Sequence, residues 1–326
     1  MKIAFFEFEQ WEKEFMSFQL KDHQVSFFPD ALGSHNVQLA KDAEIISCFT
    51  GSDASENVLR QMPNLKMITT RSTGFDHINL DYCKQKNITV CNVPTYGENT
   101  VAEHTFALIL TLSRKVTDSI ERTRRGDFSL DGLRGFDLKG KTIGIVGMGH
   151  IGQHVARMAN GFEMNVLGFD MYPDKKLAKN LNFTYAAFDE LLEKSDIISF
   201  HVPYNKNTHH LINVGNINLI KKGAYIINTS RGGVIETDAL VQALTQGIIA
   251  GAGLDVLEEE NFIKEESDLL SKEFHKQHDL KTIMQDHILL DQKNVIITPH
   301  NAFNSNEAMN RIAETTVENI EGFVKG

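Results

Sequence analysis

The sequence predicts an α/β protein with two doubly wound parallel sheets, and three observations predict it. Short apolar runs alternate with polar, helix-compatible segments along most of the chain, as they do where crossover helices join parallel strands. Residues 141–170 set strand, glycine turn, helix and strand in unbroken order. The tail over 305–324 carries Met309, Ile312, Ala313, Thr316, Val317, Ile320 and Phe323 at helical spacing, the single apolar face that a closing helix needs to return to the first part of the chain.

The elements follow in chain order. In residues 1–97, strands are expected over 3–8, 25–28, 44–49, 67–70 and 88–93. The segment RSTGFDHI, 71–78, passes from a strand end into a glycine loop. Such loops bind ligands in open α/β sheets, and amides around Thr73 and Gly74 can hold a small anion there; a plain strand-to-helix turn is the alternative. Pro94 and Gly97 mark an irregular connection, and 98–115 reads as a long helix. Its apolar positions Val101, Phe106, Ala107, Leu108, Leu110 and Leu112 cover more than one face, so the helix is buried on several sides. It is the passage between domains and a candidate dimer element.

From 142 onward, strands are expected over 142–147, 166–170, 196–202, 224–229, 251–256 and 295–298, a six-strand Rossmann-like sheet. The charge-rich stretch 258–292 interrupts it and reads as a solvated insertion with helical pieces. Residues 1–97 with 301–326 then form one domain, and 98–300 form a second, inserted in the first.

The stretch 141–170 has a mechanism as well as a pattern. Gly147, Gly149 and Gly152 stand as GxGxxG after the strand, and Asp170 closes the following strand eighteen residues beyond Gly152. The first glycine permits the tight turn, the second lets backbone approach a pyrophosphate, and the third lets the helix pack on the strand. The helix N-terminus offers its amides and positive dipole to the phosphates. Asp170 accepts hydrogen bonds from an adenosine ribose and repels a 2′-phosphate, which favours NAD over NADP.

Composition narrows the function classes. The 326 residues carry a net charge of -10, which argues against nucleic acid or an anionic membrane as partner. Glu7 and Glu9 break the apolar start that a signal peptide needs, and no stretch reaches the roughly eighteen apolar residues of a membrane span. Cys48, Cys83 and Cys91 are scattered without CxxC spacing, as expected of thiols in a reducing cytoplasm. No metal is expected.

Three later strand ends finish in polar residues. INTSRGGVI places Arg231 after Asn228, Thr229 and Ser230, GLDVLEEE carries Asp255 and Glu260, and ITPHNAF carries His300. In a doubly wound sheet these ends line the crevice of the glycine turn. The trio Arg231, Glu260 and His300 suits hydride transfer at a 2-hydroxy or 2-oxo acid. A guanidinium grips the carboxylate and polarises the carbonyl. An imidazolium donates the proton, and a carboxylate behind it raises its pKa.

Through RSTGFDHI, NVP, VAEH, GMGHIGQ, HVP, NTSRGG, LDVLEEE and TPH, along essentially its whole length, the chain resembles the D-2-hydroxyacid dehydrogenases. The resemblance implies a substrate domain of the N-terminal part plus the last helix, an inserted NAD domain, and a catalytic trio at Arg231, Glu260 and His300. It also implies cofactor contacts at His150, Ile151, Asp170, Val202, Pro203, Thr208, Thr229 with its neighbour Ser230, and Asp255, and a homodimer joined through the NAD domains. Glu260 sets the chain apart from formate dehydrogenase relatives, and no added regulatory domain is expected after Gly326. Forty positions separate Glu260 from His300, Tyr96 follows the NVP run and Phe303 stands three after His300. These features are similar to the D-lactate dehydrogenase branch, where aromatic residues at both places enclose the short side chain of pyruvate. Asn301, in place of the more usual Thr, and Phe49, in place of Tyr, depart from it. The alternatives are a dehydrogenase for bulkier 2-oxo acids and a non-catalytic NAD(H)-sensing protein.

Overall fold

Alternate residues of the first strand face two apolar layers, Ile3 and Phe5 one, Ala4 and Phe6 the other. Both faces of the sheet are therefore covered, as a parallel sheet requires. The structure, a computed structural model, describes residues 1–258 and 280–326. It divides into two compact units, Met1–Gly97 with Asn304–Gly326, and Glu98–Phe303.

The first unit runs β1 (Lys2–Phe6), α1 (Gln10–Gln19), β2 (Gln24–Phe28), β3 (Ile45–Cys48), α2 (Glu56–Leu59), β4 (Met67–Thr70), α3 (Leu80–Lys86) and β5 (Thr89–Cys91). Its sheet has the order β2-β1-β3-β4-β5 with every pair parallel.

The second unit opens with α4 (Glu98–Arg114), which buries residues from Thr100 to Ser113 on more than one face. Lys115, at φ 53, turns the chain into α5 (Val116–Arg124). There follow β6 (Thr142–Val146), α6 (His150–Gly161), β7 (Asn165–Phe169), α7 (Lys175–Asn180), β8 (Thr184–Tyr185), α8 (Phe188–Lys194), β9 (Ile197–Phe200), β10 (Ala224–Asn228), α9 (Thr237–Thr245), β11 (Ile249–Leu254), α10 (Leu280–Asp291) and β12 (Val295–Ile297).

The second sheet is seven-stranded, one strand more than expected, in the order β12-β11-β10-β9-β6-β7-β8. The addition is β8, an edge strand of two residues, too short for alternation to show in sequence. From β6 the chain winds outward to β8, returns to β9 and winds the other way, so the switch point lies between β6 and β9. Ile197 and Ile227 face one core layer, and Ile198 and Ile226 the other.

α11 (Asn306–Lys325) closes the first unit. Ser305 caps it by accepting from the amide of Ala308 at 3.2 Å, and Ala313 and Ile320 join the layer of Ile3, Phe5 and Met16. The chain leaves the second unit at Phe303 rather than at the expected His300, because the amides of Asn301 and Ala302 are tied to Asp255 of the second unit. Of the expected insertion 258–292, residues 259–279 lie outside the described residues. Among the described residues, no helix is long and apolar enough to cross a membrane.

Candidate active site

All pairs in the second sheet are parallel, so every strand delivers its carboxyl end to one edge. The residue that follows the strand is Ala186 after β8, Asp170 after β7, Gly147 after β6, His201 after β9, Thr229 after β10, Asp255 after β11 and Thr298 after β12. Arg231 and His300 come three residues beyond the ends of β10 and β12, the strands on either side of β11, which leads into Asp255.

The glycine turn is built by close approach. Gly147 has φ +97, and a Cβ on it would lie 2.5 Å from the carbonyl oxygen of His201, so the β6 and β9 turns lie directly against each other. A Cβ at Gly152 would lie 2.0 Å from the carbonyl oxygen of Gly147, which is why α6 can start so near the strand. At Gly149 a Cβ would meet nothing within 4 Å. The turn is therefore open where a pyrophosphate has to approach. α6 has no side-chain cap at Gly149, and first-turn amides lack intrahelical partners, which suits an anion. His150 is exposed and Ile151 half-buried at the start of this helix. Asp170 Oδ2 accepts from the amide of Met148 at 2.9 Å, and Oδ1 from that of Tyr172 at 2.9 Å. Beyond half-buried Val202 and exposed Pro203, the Thr208 hydroxyl donates to the Pro203 carbonyl at 2.6 Å and accepts from the amide of Asn205 at 2.9 Å.

The other end of the edge is held by buried polar groups. Asn228, 1% exposed, accepts from the amide and hydroxyl of Ser230 at 3.0 and 2.7 Å and donates to the carbonyl of Arg231 at 2.9 Å. Arg231 Nη1 donates to the Ser230 carbonyl at 2.8 Å, and the hydroxyls of Thr229 and Thr105 lie 3.1 Å apart. Asp255 is 1% exposed, and both its oxygens are engaged by the protein. Oδ1 accepts from Thr298 Oγ1 at 2.5 Å and the amide of Asn301 at 3.0 Å, and Oδ2 from the amide of Ala302 at 2.9 Å. Its carbonyl accepts from the amide of His300 at 2.9 Å. A carboxylate this dry needs such partners, and they bend the chain so that His300 sits at φ 52.

The family model for the NAD binding domain of the D-isomer specific 2-hydroxyacid dehydrogenases matches residues 106–302. The chain belongs to this family. It is 34% identical to D-lactate dehydrogenase of Escherichia coli over all of this chain and 98% of that protein. It is also 34% identical to an aromatic 2-oxoacid reductase of Clostridium sporogenes, over 92% of this chain and 89% of that one. The crystal structure of D-lactate dehydrogenase from Aquifex aeolicus, complexed with NAD and lactic acid, superposes with a TM-score of 0.88 at 40% identity, covering 99% of this chain and 96% of that chain.

This dehydrogenase is an NAD-dependent oxidoreductase, and its glycine turn fits the cofactor: it is open at Gly149, tight at Gly147 and Gly152, and bounded by the Asp170 carboxylate. Glu260 lies outside the described residues. Thr73 and Gly74 belong to the first unit, where the Thr73 hydroxyl donates to the Val93 carbonyl at 2.9 Å and the Ser72 hydroxyl to the Gly74 carbonyl at 2.6 Å. The carbonyl of Tyr96 accepts from Arg311 Nε at 2.6 Å, and Phe303 is half-buried in the second unit.

Three groups at this edge escaped the sequence reading as site residues. His104 of α4 places Nε2 3.0 Å from Thr298 Oγ1 and 3.5 Å from Asp255 Oδ1; the VAEH motif was its only signal. Nε2 of His201 lies 2.8 Å from Ser199 Oγ, while its Nδ1 is out of solvent without a partner, and burial lowers its pKa to about 3. Glu258 pairs with His210 and accepts from the amide and hydroxyl of Thr237 at 3.1 and 2.8 Å, which fixes the chain three residues past Asp255.

Proposed function

We propose that the enzyme reduces pyruvate to D-lactate with NADH. What carries the proposal is the row Arg231, Asp255 and His300 on neighbouring strand ends, in a chain 40% identical to a D-lactate dehydrogenase complexed with lactic acid. The first unit is the substrate domain, with Thr73, Gly74 and Tyr96 its substrate contacts and Phe303 a further one from the second unit. Arg231 binds the carboxylate and polarises the 2-oxo group through its planar fork. His300 donates the proton in reduction and takes it back in oxidation. Glu260 holds the tautomer of the imidazole, a role that rests on the family resemblance. Gly147, Gly149, His150, Ile151, Gly152, Val202, Pro203, Thr208, Thr229 and Ser230 line the cofactor, and Asp170 holds its ribose. Asp255, expected as a cofactor contact, has both carboxylate oxygens taken up by Thr298, Asn301 and Ala302, and it is proposed to hold the His300 turn from behind. NAD(H), when bound, supplies or accepts the hydride.

A dehydrogenase for bulkier 2-oxo acids is the second reading, supported by the 34% identity shared equally with the aromatic 2-oxoacid reductase. Steady-state kcat/KM across pyruvate, 2-oxobutyrate, 2-oxoisocaproate, phenylpyruvate, hydroxypyruvate and glyoxylate, with chiral analysis of the products, separates the two. Bulky acids preferred by more than about tenfold, about 1.4 kcal/mol in the barrier, overturn the lactate assignment.

The enzyme is proposed to be a cytoplasmic homodimer joined through the second unit. Support comes from the exposed apolar side chains of Phe128 and Leu130, 78% and 83% exposed, and of Val116 and Ile120 on α5, and from the three free cysteines. Light scattering after size exclusion reads the mass directly.

A further inference from the structure

In the first unit the strand order changes direction between β1 and β3, the place where an open parallel sheet ordinarily leaves a crevice for a ligand. Here the chain fills that place with its own carboxylate. Glu7, directly after β1, adopts φ 53, an uncommon conformation for this residue type. Its side chain turns onto the loop after β3. Oε2 accepts from the amide of Phe49 at 3.1 Å and the hydroxyl of Ser52 at 2.5 Å, and Oε1 accepts from the amide of Gly51 at 3.0 Å. A Cβ at Gly51 would lie 2.5 Å from Oε1, so a larger residue there would push the carboxylate aside.

The arrangement is braced from below. Arg71, 2% exposed, follows β4 and opens the segment that carries Thr73 and Gly74. Its Nη2 donates to the carbonyls of Phe6 and Glu7 at 2.8 and 2.5 Å, its Nη1 to Ser47 Oγ at 3.0 Å, and its Nε pairs with Glu12 at 3.2 Å. The ends of β1, β3 and β4 are thus joined through two side chains.

Two backbone amides and a hydroxyl converging on a carboxylate form the kind of nest that binds free anions. We propose that Glu7 is a positioning residue for the 2-oxo acid: its carboxylate occupies the anion nest of the Phe49–Ser52 loop, sets that loop, and leaves the Thr73–Gly74 loop as the seat of the substrate carboxylate. The proposal rests on the reading of the first unit as the substrate domain. An emptied nest would compete for the acid in an unproductive place and release the loop.

The test is the kinetics of Glu7→Ala in the full-length enzyme, with and without added sodium formate, a carboxylate small enough for the vacated space. The expected result is a KM for the 2-oxo acid raised about tenfold, the scale of a lost charge-assisted contact, with kcat and the KM for NADH held and with formate lowering the raised KM. In the wild type, formate leaves the KM unchanged or raises it by competition. An unchanged KM in the variant, or a raised KM that ignores formate, overturns the proposal. If Glu7→Ala does not fold, Glu7→Gln replaces it. A higher substrate KM at constant kcat and NADH KM, without a formate response, supports the role, and parallel loss of all three or no change refutes it. A wild-type enzyme that turns over no 2-oxo acid refutes the proposed function instead.

Discussion

The carboxylate of Asp170 accepts a hydrogen bond from the amide of Met148, 2.9 Å away inside the glycine turn. The acid proposed to discriminate between cofactors is therefore also a strut of the glycine turn. Asp170→Ala should narrow the preference for NADH over NADPH and also weaken NADH itself, by about tenfold for one lost bond to a charged acceptor. Comparing kcat/KM for the two cofactors checks this. An unchanged ratio places selectivity elsewhere.

Gly152→Ala would drive a methyl group to 2.0 Å from the Gly147 carbonyl oxygen. Overpacking of this kind costs about 1–3 kcal/mol, and here the strain falls on the glycine turn. The variant should melt earlier and bind NADH more weakly, seen by calorimetry and fluorescence titration. Wild-type affinity would mean that α6 can shift away without disturbing the turn.

His300→Gln should lower kcat about 10²-fold or more, since it removes the proposed proton donor. Asp255→Asn should produce a smaller fall through misplacement of His300, because an amide keeps only one acceptor oxygen for the donors now shared between Oδ1 and Oδ2. Near-normal turnover in His300→Gln refutes its role.

Glu260→Gln tests the proposed dyad by its pH profile. Reduction needs the imidazolium, and a carboxylate partner favours the charged ring, so loss of the charge should move the alkaline limb of pyruvate reduction to lower pH. An unmoved limb removes Glu260 from the dyad.

His201 makes an acid-stability prediction. Burial lowers its folded pKa to about 3 from 6.5. Between those values the unfolded chain binds a proton that the folded chain does not. Its contribution to stability is complete above about pH 6.5 and is lost as the pH falls, at up to about 1.4 kcal/mol per unit. His201→Asn should flatten the decline between pH 6.5 and 5, measured by urea unfolding. Equal slopes would show that the histidine titrates normally.

The glycine turn and Asp170 were legible in the sequence because their geometry is local: one strand, one turn, one helix and one further strand. The apolar runs were legible for the same reason, since a strand buried on both faces leaves a continuous apolar stretch. β8 left none, with two residues. His104 and Thr298 stand 194 positions apart, and Glu7 and Ser52 stand 45 apart. Nothing in either segment names its partner, because such pairs arise only when the folded chain brings distant helices, loops and strand ends to one edge. Asp255 is a related case. The motif placed it at the edge, but the burial of both its oxygens against the His300 loop is a product of packing.

His300 at φ 52 has a consequence for protein engineering. Histidine tolerates that backbone region and glycine occupies it at no steric cost, so a glycine there would keep the turn while removing the proposed proton donor. A library screened only for heat tolerance or soluble yield would favour such replacements and enrich well-behaved but inert proteins. Any campaign to harden this scaffold should keep a turnover assay in every round, or exclude the 298–302 turn from randomisation.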